Sequence, residues 1–344
     1  YQSCKGIIYD LKICRDQLQR KGTVDHFVIA QDDVSFKFQL TQKLYAREVE
    51  ILRVIKNFNE VIQNNTAYTL IKGQPGIGKS SLVGELIKKV NERDGNFISG
   101  KFDQLNNDVP YSALIQAFSQ FVNNICSDNE REKWQWEKRY TEALSGNAQL
   151  IVDIIPEFQQ IMDPQERLPR LPASEMKIRF SVAFQAFIKA SATIEHPLVV
   201  FLDDMQWADL SSLELIKKIL LDSFETRILF VGTYRNNEIR KDHPLILDFD
   251  YVSKKGVITD LIELKPLDVY YTKQYIIDTF NCSEEYATPL AIVCYLKTKG
   301  NPLFLNKLLT NLYQTGQILF DTVKRSWVWD IESIKKINLP DNID

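Results

Sequence analysis

Short apolar runs of strand length alternate with longer stretches of helical period along most of the chain. Ala67-Tyr68-Thr69-Leu70-Ile71 is β-branched and aromatic, which predicts a strand. Leu82, Val83, Leu86, Ile87 and Val90 then recur at helical spacing and predict a helix over 81–93. A turn at Asp94-Gly95 leads into a second strand at 96–102. Pro110-Tyr111-Ser112 opens a helix carrying Leu114, Phe118, Phe121 and Val122. Residues 174–192 read as a helix with Phe180, Phe184 and Phe187 turned to a core, a stripe of packing rather than of cofactor contact. Apolar runs at 198–202 and 228–231 predict two more strands. Between them Ser211-Ser212-Leu213-Glu214 offers a capping box for a helix with Leu213, Ile216 and Leu220 inward. A fifth strand is expected at 257–264. Strands and helices alternating on this scale mean an α/β fold in three layers, αβα, with a parallel sheet covered on both faces.

The flanks follow a different rhythm. Ile7 through Leu18 predicts one amphipathic helix stopped by Gly22, and from Arg47 a helix runs to about Phe58 with Ile51, Leu52, Ile55 and Phe58 on one face. Asn64-Asn65-Thr66 breaks it. The span 127–172 is polar, Trp-bearing and punctuated by Pro156, Pro164, Pro169 and Pro172, so it reads as helices and loops inserted into the sheet domain. Beyond Pro266 the period is helical. Asp268 caps a helix over 269–280, and two further helices end near Lys299 and Thr315. A short hairpin closes the pattern: Ile318-Leu319-Phe320, a turn at 321–325, then Trp327-Val328-Trp329.

Composition narrows the classes. A chain of 344 residues suggests about two domains, and 44% hydrophobic with 25% charged residues is ordinary for a soluble globular protein. A net charge of −3 gives no electrostatic reason to expect nucleic acid or anionic membrane as a partner. The longest apolar run, Leu198 to Leu202, falls far short of the ~20 residues that span a bilayer. The 5 cysteines show no C-x-x-C spacing, which argues against a zinc site or disulfide framework and favours a reducing, cytoplasmic setting. His26, His196 and His243 are widely separated, and the last two precede prolines, a loop signal rather than a ligand set. The first residue is Tyr1 and no signal peptide is visible, so the chain reads as a piece of something longer.

One stretch carries chemistry outright. Gly73-Gln74-Pro75-Gly76-Ile77-Gly78-Lys79-Ser80 spells G-x-x-x-x-G-K-S between a predicted strand and a predicted helix. That order aims backbone N–H groups and a helix N-terminus at phosphate oxygens. Lys79 would reach the β- and γ-phosphates, and the Ser80 hydroxyl would ligate Mg²⁺. A second acidic element must hold the metal from a parallel strand. Leu198-Val199-Val200-Phe201-Leu202-Asp203-Asp204 supplies it: Asp203 for Mg²⁺, and Asp204 as a candidate base for the attacking water. Thr233-Tyr234-Arg235-Asn236-Asn237 ends the next strand on the same edge, where Arg235 can pair with phosphate oxygens. No N-K-x-D element is present, which favours ATP over GTP.

GQPGIGKS, FLDDMQWAD (201–209), GTYRNNE (232–238) and GNPLF (300–304) together resemble the signal-transduction ATPases with numerous domains, the STAND branch near the AAA+ ATPases and their origin-recognition-like class, which implies a P-loop NTPase sheet of ASCE type. The likeness is narrower still to the ATPase module inside large multi-sensor serine/threonine and histidine kinases. Gly6-Ile7-Ile8-Tyr9-Asp10-Leu11 and the stretch from Phe38-Gln39-Leu40 to Leu44-Tyr45-Ala46-Arg47-Glu48 are similar to the linker after the kinase domain in those proteins. The resemblance implies that Tyr45, Arg47 and Glu48 lie near the adenine and ribose, and that Arg235 senses the γ-phosphate. It also implies that Pro302 packs on the adenine from a helical domain; a proline opening a helix is otherwise ordinary capping.

The organisation expected is a connector at 1–44 and a P-loop nucleotide-binding domain at 45–265, followed by a helical lid domain at 266–315 and the start of a winged-helix-like segment at 316–344. No H-R-D or D-F-G kinase signature occurs. The function expected is an ATP- and Mg²⁺-dependent signalling switch, in which Arg235 and Pro302 clamp the helical domain onto the sheet. Its partners would be the flanking kinase and sensor domains of the same polypeptide, with oligomerisation left open. Two alternatives stay open: an origin-recognition-like AAA+ ATPase that binds DNA, and an adaptor that binds ATP without turning it over.

Overall fold

The computed structural model describes residues 4–27, 29, 37–63, 66–106, 109–127, 130–162, 172–193, 195–222 and 226–337. Asn64 and Asn65 of the expected break, Pro164 and Pro169 of the insertion and the end of the expected winged-helix segment lie outside these. In chain order the elements are α1 (Cys4–Lys21), α2 (Glu48–Ile62), β1 (Ala67–Lys72), α3 (Lys79–Asn91), β2 (Asn96–Lys101) and α4 (Ser112–Cys126). Then come α5 (Glu130–Leu144), α6 (Ala148–Val152), α7 (Ala173–Ala190), β3 (Leu198–Asp203), α8 (Leu210–Leu221), β4 (Ile228–Tyr234), α9 (Pro244–Lys254) and β5 (Ile258–Glu263). The last are α10 (Val269–Phe280), α11 (Glu284–Thr298), α12 (Pro302–Gln314), β6 (Ile318–Asp321), β7 (Ser326–Trp329) and α13 (Ile331–Lys336). Contacts gather the chain into two compact units, Arg47–Leu264 on the one hand and Tyr1–Ala46 with Lys265–Asp344 on the other.

The first unit is built on a five-stranded sheet in the order β2-β3-β4-β1-β5, with every pair parallel. Strand period decides its two cores. Ala67, Ile71, Val199, Leu229 and Val231 pack with Val54, Phe58, Leu82, Val83 and Leu86 of α2 and α3. Their neighbours Tyr68, Leu70, Val200, Leu202, Ile228 and Phe230 point to the opposite face, where Leu114, Phe118, Phe184, Phe187 and Leu213 cover them. This is the three-layer αβα fold of P-loop NTPases. The inserted helices extend the second core through Tyr140 and Phe158, whose rings lie 5.0 Å apart.

Two local expectations change. Leu52 is 67% exposed, and the buried line of α2 is Val54, Asn57, Phe58 and Val61, because the i, i+3, i+4 stripe through Phe58 passes Val54 rather than Leu52. The cap of α8 is Asp209 rather than Ser211: the helix starts at Leu210, and Asp209 Oδ1 accepts from Ser212 N at 2.9 Å.

In the second unit Asp268, Ser283 and Asn301 cap α10, α11 and α12. These helices and the β6–β7 hairpin share a core of Ile276, Phe280, Leu290, Leu305, Leu308 and Trp327. The hairpin register pairs Ile318 with Trp329 and Asp321 with Ser326. Part of the stretch expected as a connector is bound here, and so is Tyr45, expected instead to open the nucleotide-binding domain. Phe38 stacks on Tyr313 at 4.5 Å, Lys43 pairs with Asp278 at 2.8 Å, and Tyr45 OH donates to Asp278 Oδ2 at 2.7 Å.

Where β2 meets α4 the backbones touch. A Cβ at Gly100 would lie 1.9 Å from the Ala113 carbonyl oxygen, whereas one at Gly84 inside α3 would meet nothing within 4 Å. Gly100→Ala is therefore expected to lose about 1–3 kcal/mol, since backbone cannot yield as a side chain can. Gly84→Ala is expected to gain up to about 1 kcal/mol from helix propensity. Urea midpoints for the two variants check the contrast, and an equal effect at both sites would refute it.

Candidate functional site

The C-terminal ends of β1, β2, β3 and β4 open on one edge of the sheet, as parallel register requires: Lys72 lies opposite Tyr234, and Lys101 opposite Asp203. The glycine loop leaves β1 at that edge. Gly76 and Gly78 have φ of 73° and 103°, which an L side chain adopts only with strain. Gly78 is the N-cap of α3 and gives it no side-chain cap, so the first amides of this 13-residue helix are left for an anion. Ile77 anchors the loop from below, 1% exposed in the core. Its carbonyl accepts from Arg47 at 3.4 Å, and Arg47 is itself 4% exposed. Burial lowers the Arg47 pKa, against the pull of Glu50 and Glu48. Glu48 is exposed in the first turn of α2.

Lys79 Nζ donates to the carbonyls of Gly73 and Gln74 at 2.9 and 3.1 Å, so the lysine folds back across its own loop. Burial pushes its ammonium below the ordinary value. The carboxylates of Asp203 and Asp204 pull it up, and Arg235 adds to the depression. Ser80 is exposed on the first turn of α3 beside it.

Asp203 ends β3 and is held through one oxygen. Thr233 Oγ1 donates to Oδ1, and so does the Asp204 main-chain N at 3.1 Å. Among the described residues Oδ2 is left to accept a ligand. Asp204 turns sharply away with φ 54° and is 5% exposed. Its buried charge is met from three sides. Lys101 Nζ lies 3.0 Å from Oδ2, Arg235 Nε 3.4 Å from Oδ1, and Gln206 Nε2 donates to Oδ1 at 2.9 Å. Burial raises the Asp204 pKa, but the bonds from Gln206 and Lys101 and the charges of Lys101 and Arg235 outweigh it and hold the carboxyl below its ordinary value. Arg235 is also paired with Glu238 at 3.0 Å and lies 5.2 Å over the Trp207 ring.

The structure thus brings Gly73, Gln74, Pro75, Gly76, Ile77, Gly78, Lys79, Ser80, Asp203, Asp204 and Arg235 to one edge, with Arg47 behind the loop. Tyr45 and Pro302 belong to the other unit. Tyr45 is held there by Asp278 and Tyr275, and Pro302 is the first residue of α12 behind the Asn301 cap. Motif and period give no role to Lys101, Gln206 or Thr233. Lys101 lies one residue before the end of the strand predicted at 96–102, on the edge that singled out Arg235, and the same argument points to it.

No group of three or more His, Cys, Asp and Glu gathers among the described residues. Mg²⁺ accompanying a nucleotide takes one or two carboxylates plus phosphate oxygens and needs no such cage. The uncapped helix, the Ser80 hydroxyl and the open oxygen of Asp203 fit that group.

A family model for the AAA ATPase domain matches residues 43–231. Hybrid signal transduction histidine kinase G of Dictyostelium discoideum is 28% identical over an alignment of 426 residues, covering 100% of this chain and 12% of that protein. Peroxide stress-activated histidine kinase mak3 of Schizosaccharomyces pombe is 21% identical over 95% of this chain and 17% of its own length. The chain thus spans only a small part of these relatives. Cdc6p from Pyrobaculum aerophilum, a solved structure, is 14% identical with a TM-score of 0.48, covering 82% of this chain and 66% of that one.

Lys101→Met removes one of the two cations on Asp204. The expected loss of stability at neutral pH is about 1 kcal/mol, small because solvent screens a lysine that is 58% exposed. The folded Asp204 carboxyl lies below its ordinary 3.8, so this stabilisation is full above that value and is lost as pH falls through the lower folded value. Urea unfolding of both proteins across the acid range checks the sign: the gap between them should close below pH 3.8. A gap that widens in acid would refute the pairing.

Proposed function

The chain belongs to the AAA ATPase domain family, and on that premise we propose that it is an ATP-binding switch module of a larger sensor kinase that hydrolyses ATP slowly. The observation that carries the reading is the uncapped start of α3 behind Gly76 and Gly78, with Lys79 and Ser80 on its first turn and Asp203 on the same sheet edge. The loop amides and Lys79 would take the phosphates, and Ser80 with Asp203 would hold Mg²⁺. Mg²⁺ supplies charge neutralisation on the phosphate oxygens when bound. Arg235 would give up Asp204 and Glu238 for phosphate, since its fork suits either partner. Asp204 would orient and deprotonate water only when released from Lys101 and Arg235. A base held in two ion pairs supports slow turnover.

The choice of ATP rests on the absent N-K-x-D element. The assignment of Tyr45, Arg47, Glu48 and Pro302 to the adenosine rests on the resemblance. That the partners are kinase and sensor domains of one polypeptide is supported by the two histidine kinases to which the chain is similar. No helix among the described residues is long and apolar enough to cross a membrane.

Lys79→Ala is expected to weaken ATP binding by about tenfold or more, the loss of a charge-assisted contact of about 1.5–3 kcal/mol. Asp203→Ala should keep magnesium-free binding and lose both the gain on adding Mg²⁺ and hydrolysis. Calorimetric titration and a single-turnover assay measure these. Unchanged nucleotide binding in both variants would refute the reading, and intact ATP on the wild type after hours would leave only the non-hydrolysing adaptor.

A further inference from the structure

Gln206 follows Asp204 by two residues in the 3-10 turn Met205–Trp207 and is 8% exposed. Both ends of its carboxamide are used. Nε2 donates to Asp204 Oδ1 at 2.9 Å, and Oε1 accepts from the Arg235 main-chain N at 3.2 Å. A carboxylate only accepts and a backbone N–H only donates, so the amide has a single satisfied orientation. Trp207 carries the Arg235 guanidinium on its ring, and Arg235 Nε returns to Asp204 Oδ1 at 3.4 Å. Asp204, Gln206 and Arg235 therefore close a ring of contacts that neither β3 nor β4 could impose alone. Met205 fastens the turn below: a Cβ at Gly232 of β4 would lie 2.1 Å from its sulfur.

We propose that Gln206 is a positioning residue whose carboxamide holds the Asp204 carboxylate and the Arg235 main chain in one fixed relation, so that a phosphate drawing on Arg235 also re-aims Asp204. The inference rests on the nucleotide reading above. It deepens that reading by joining the candidate base to the candidate sensor through a residue whose two polar ends are both bonded to protein. Removing the amide unties the Arg235 main chain from the Asp204 carboxylate and leaves the longer Nε contact at 3.4 Å. It takes nothing from the loop that grips the phosphates, so affinity and turnover should part company.

Two variants test it. Gln206→Met keeps the volume and removes both bonds. Gln206→Glu keeps the acceptor for the Arg235 N–H, replaces the donor to Asp204 with a like charge, and carries the same comparison if the Met variant does not fold. Both are expected to bind ATP within about threefold of wild type while the single-turnover rate falls by about tenfold to a hundredfold, the scale of a small misplacement at a reacting centre. In the nucleotide-free protein the indole N–H resonance of Trp207, identified with Trp207→Phe, should shift in Gln206→Met, and the Arg235 amide resonance should move less in Gln206→Glu. A wild-type rate with unmoved resonances overturns the inference, and so does a parallel loss of ATP affinity and thermal midpoint, the mark of a merely structural residue. Failure of the wild type to bind ATP sinks the nucleotide reading instead, and the two resonances in the nucleotide-free protein still decide the Gln206 arrangement.

Discussion

A parallel sheet buried on both faces has no polar side to give away, and most of this molecule follows from that. β1, β3 and β4 must be apolar on alternate residues in both directions, as Ala67/Tyr68, Val199/Val200 and Leu229/Phe230 are. Helices must lie on each face to receive them. With every strand running the same way, all the C-terminal ends meet at one edge. The candidate site is gathered at that edge.

At that edge the governing problem is charge. Asp204 is a carboxylate with little access to water, and leaving it unpaired would cost several kcal/mol. Lys101 comes from β2, Arg235 from the end of β4 and Gln206 from its own turn, so three separate segments are tied to one side chain. Asp203, one residue earlier, is instead held by Thr233 through a single oxygen. Two adjacent acids thus receive different surroundings: one is clamped by cations, the other left with an oxygen for a ligand. The difference between them comes from those surroundings and not from their chemistry, which is the same.

The second unit shows a different solution to packing. Its core is largely aliphatic, and an aromatic cluster beside it is closed by segments far apart in sequence, with Phe38 against Tyr313 and Phe280 near Trp327. The stretch ahead of the sheet is bound into it, and Tyr45 is fixed by a carboxylate on α10.

The phosphate loop, the strand–helix alternation and the acids after β3 were all legible in the sequence, because each is a local pattern: a glycine spacing, a period of two or near four, an apolar run ending in charge. The caps at Asp268 and the hairpin from Ile318 to Trp329 were legible for the same reason. The choice of Asp209 over Ser211 as a cap, and of Val54 over Leu52 as the buried side of α2, turned on small rotations that a local pattern leaves degenerate. Strand order was out of reach. No local pattern says that β4 separates β1 from β3, or that β2 lies outermost so that Lys101 meets Asp204. Composition and spacing fix which residues can do chemistry. Only the folded sheet, by setting which strand ends are neighbours, decides which of them act on one another.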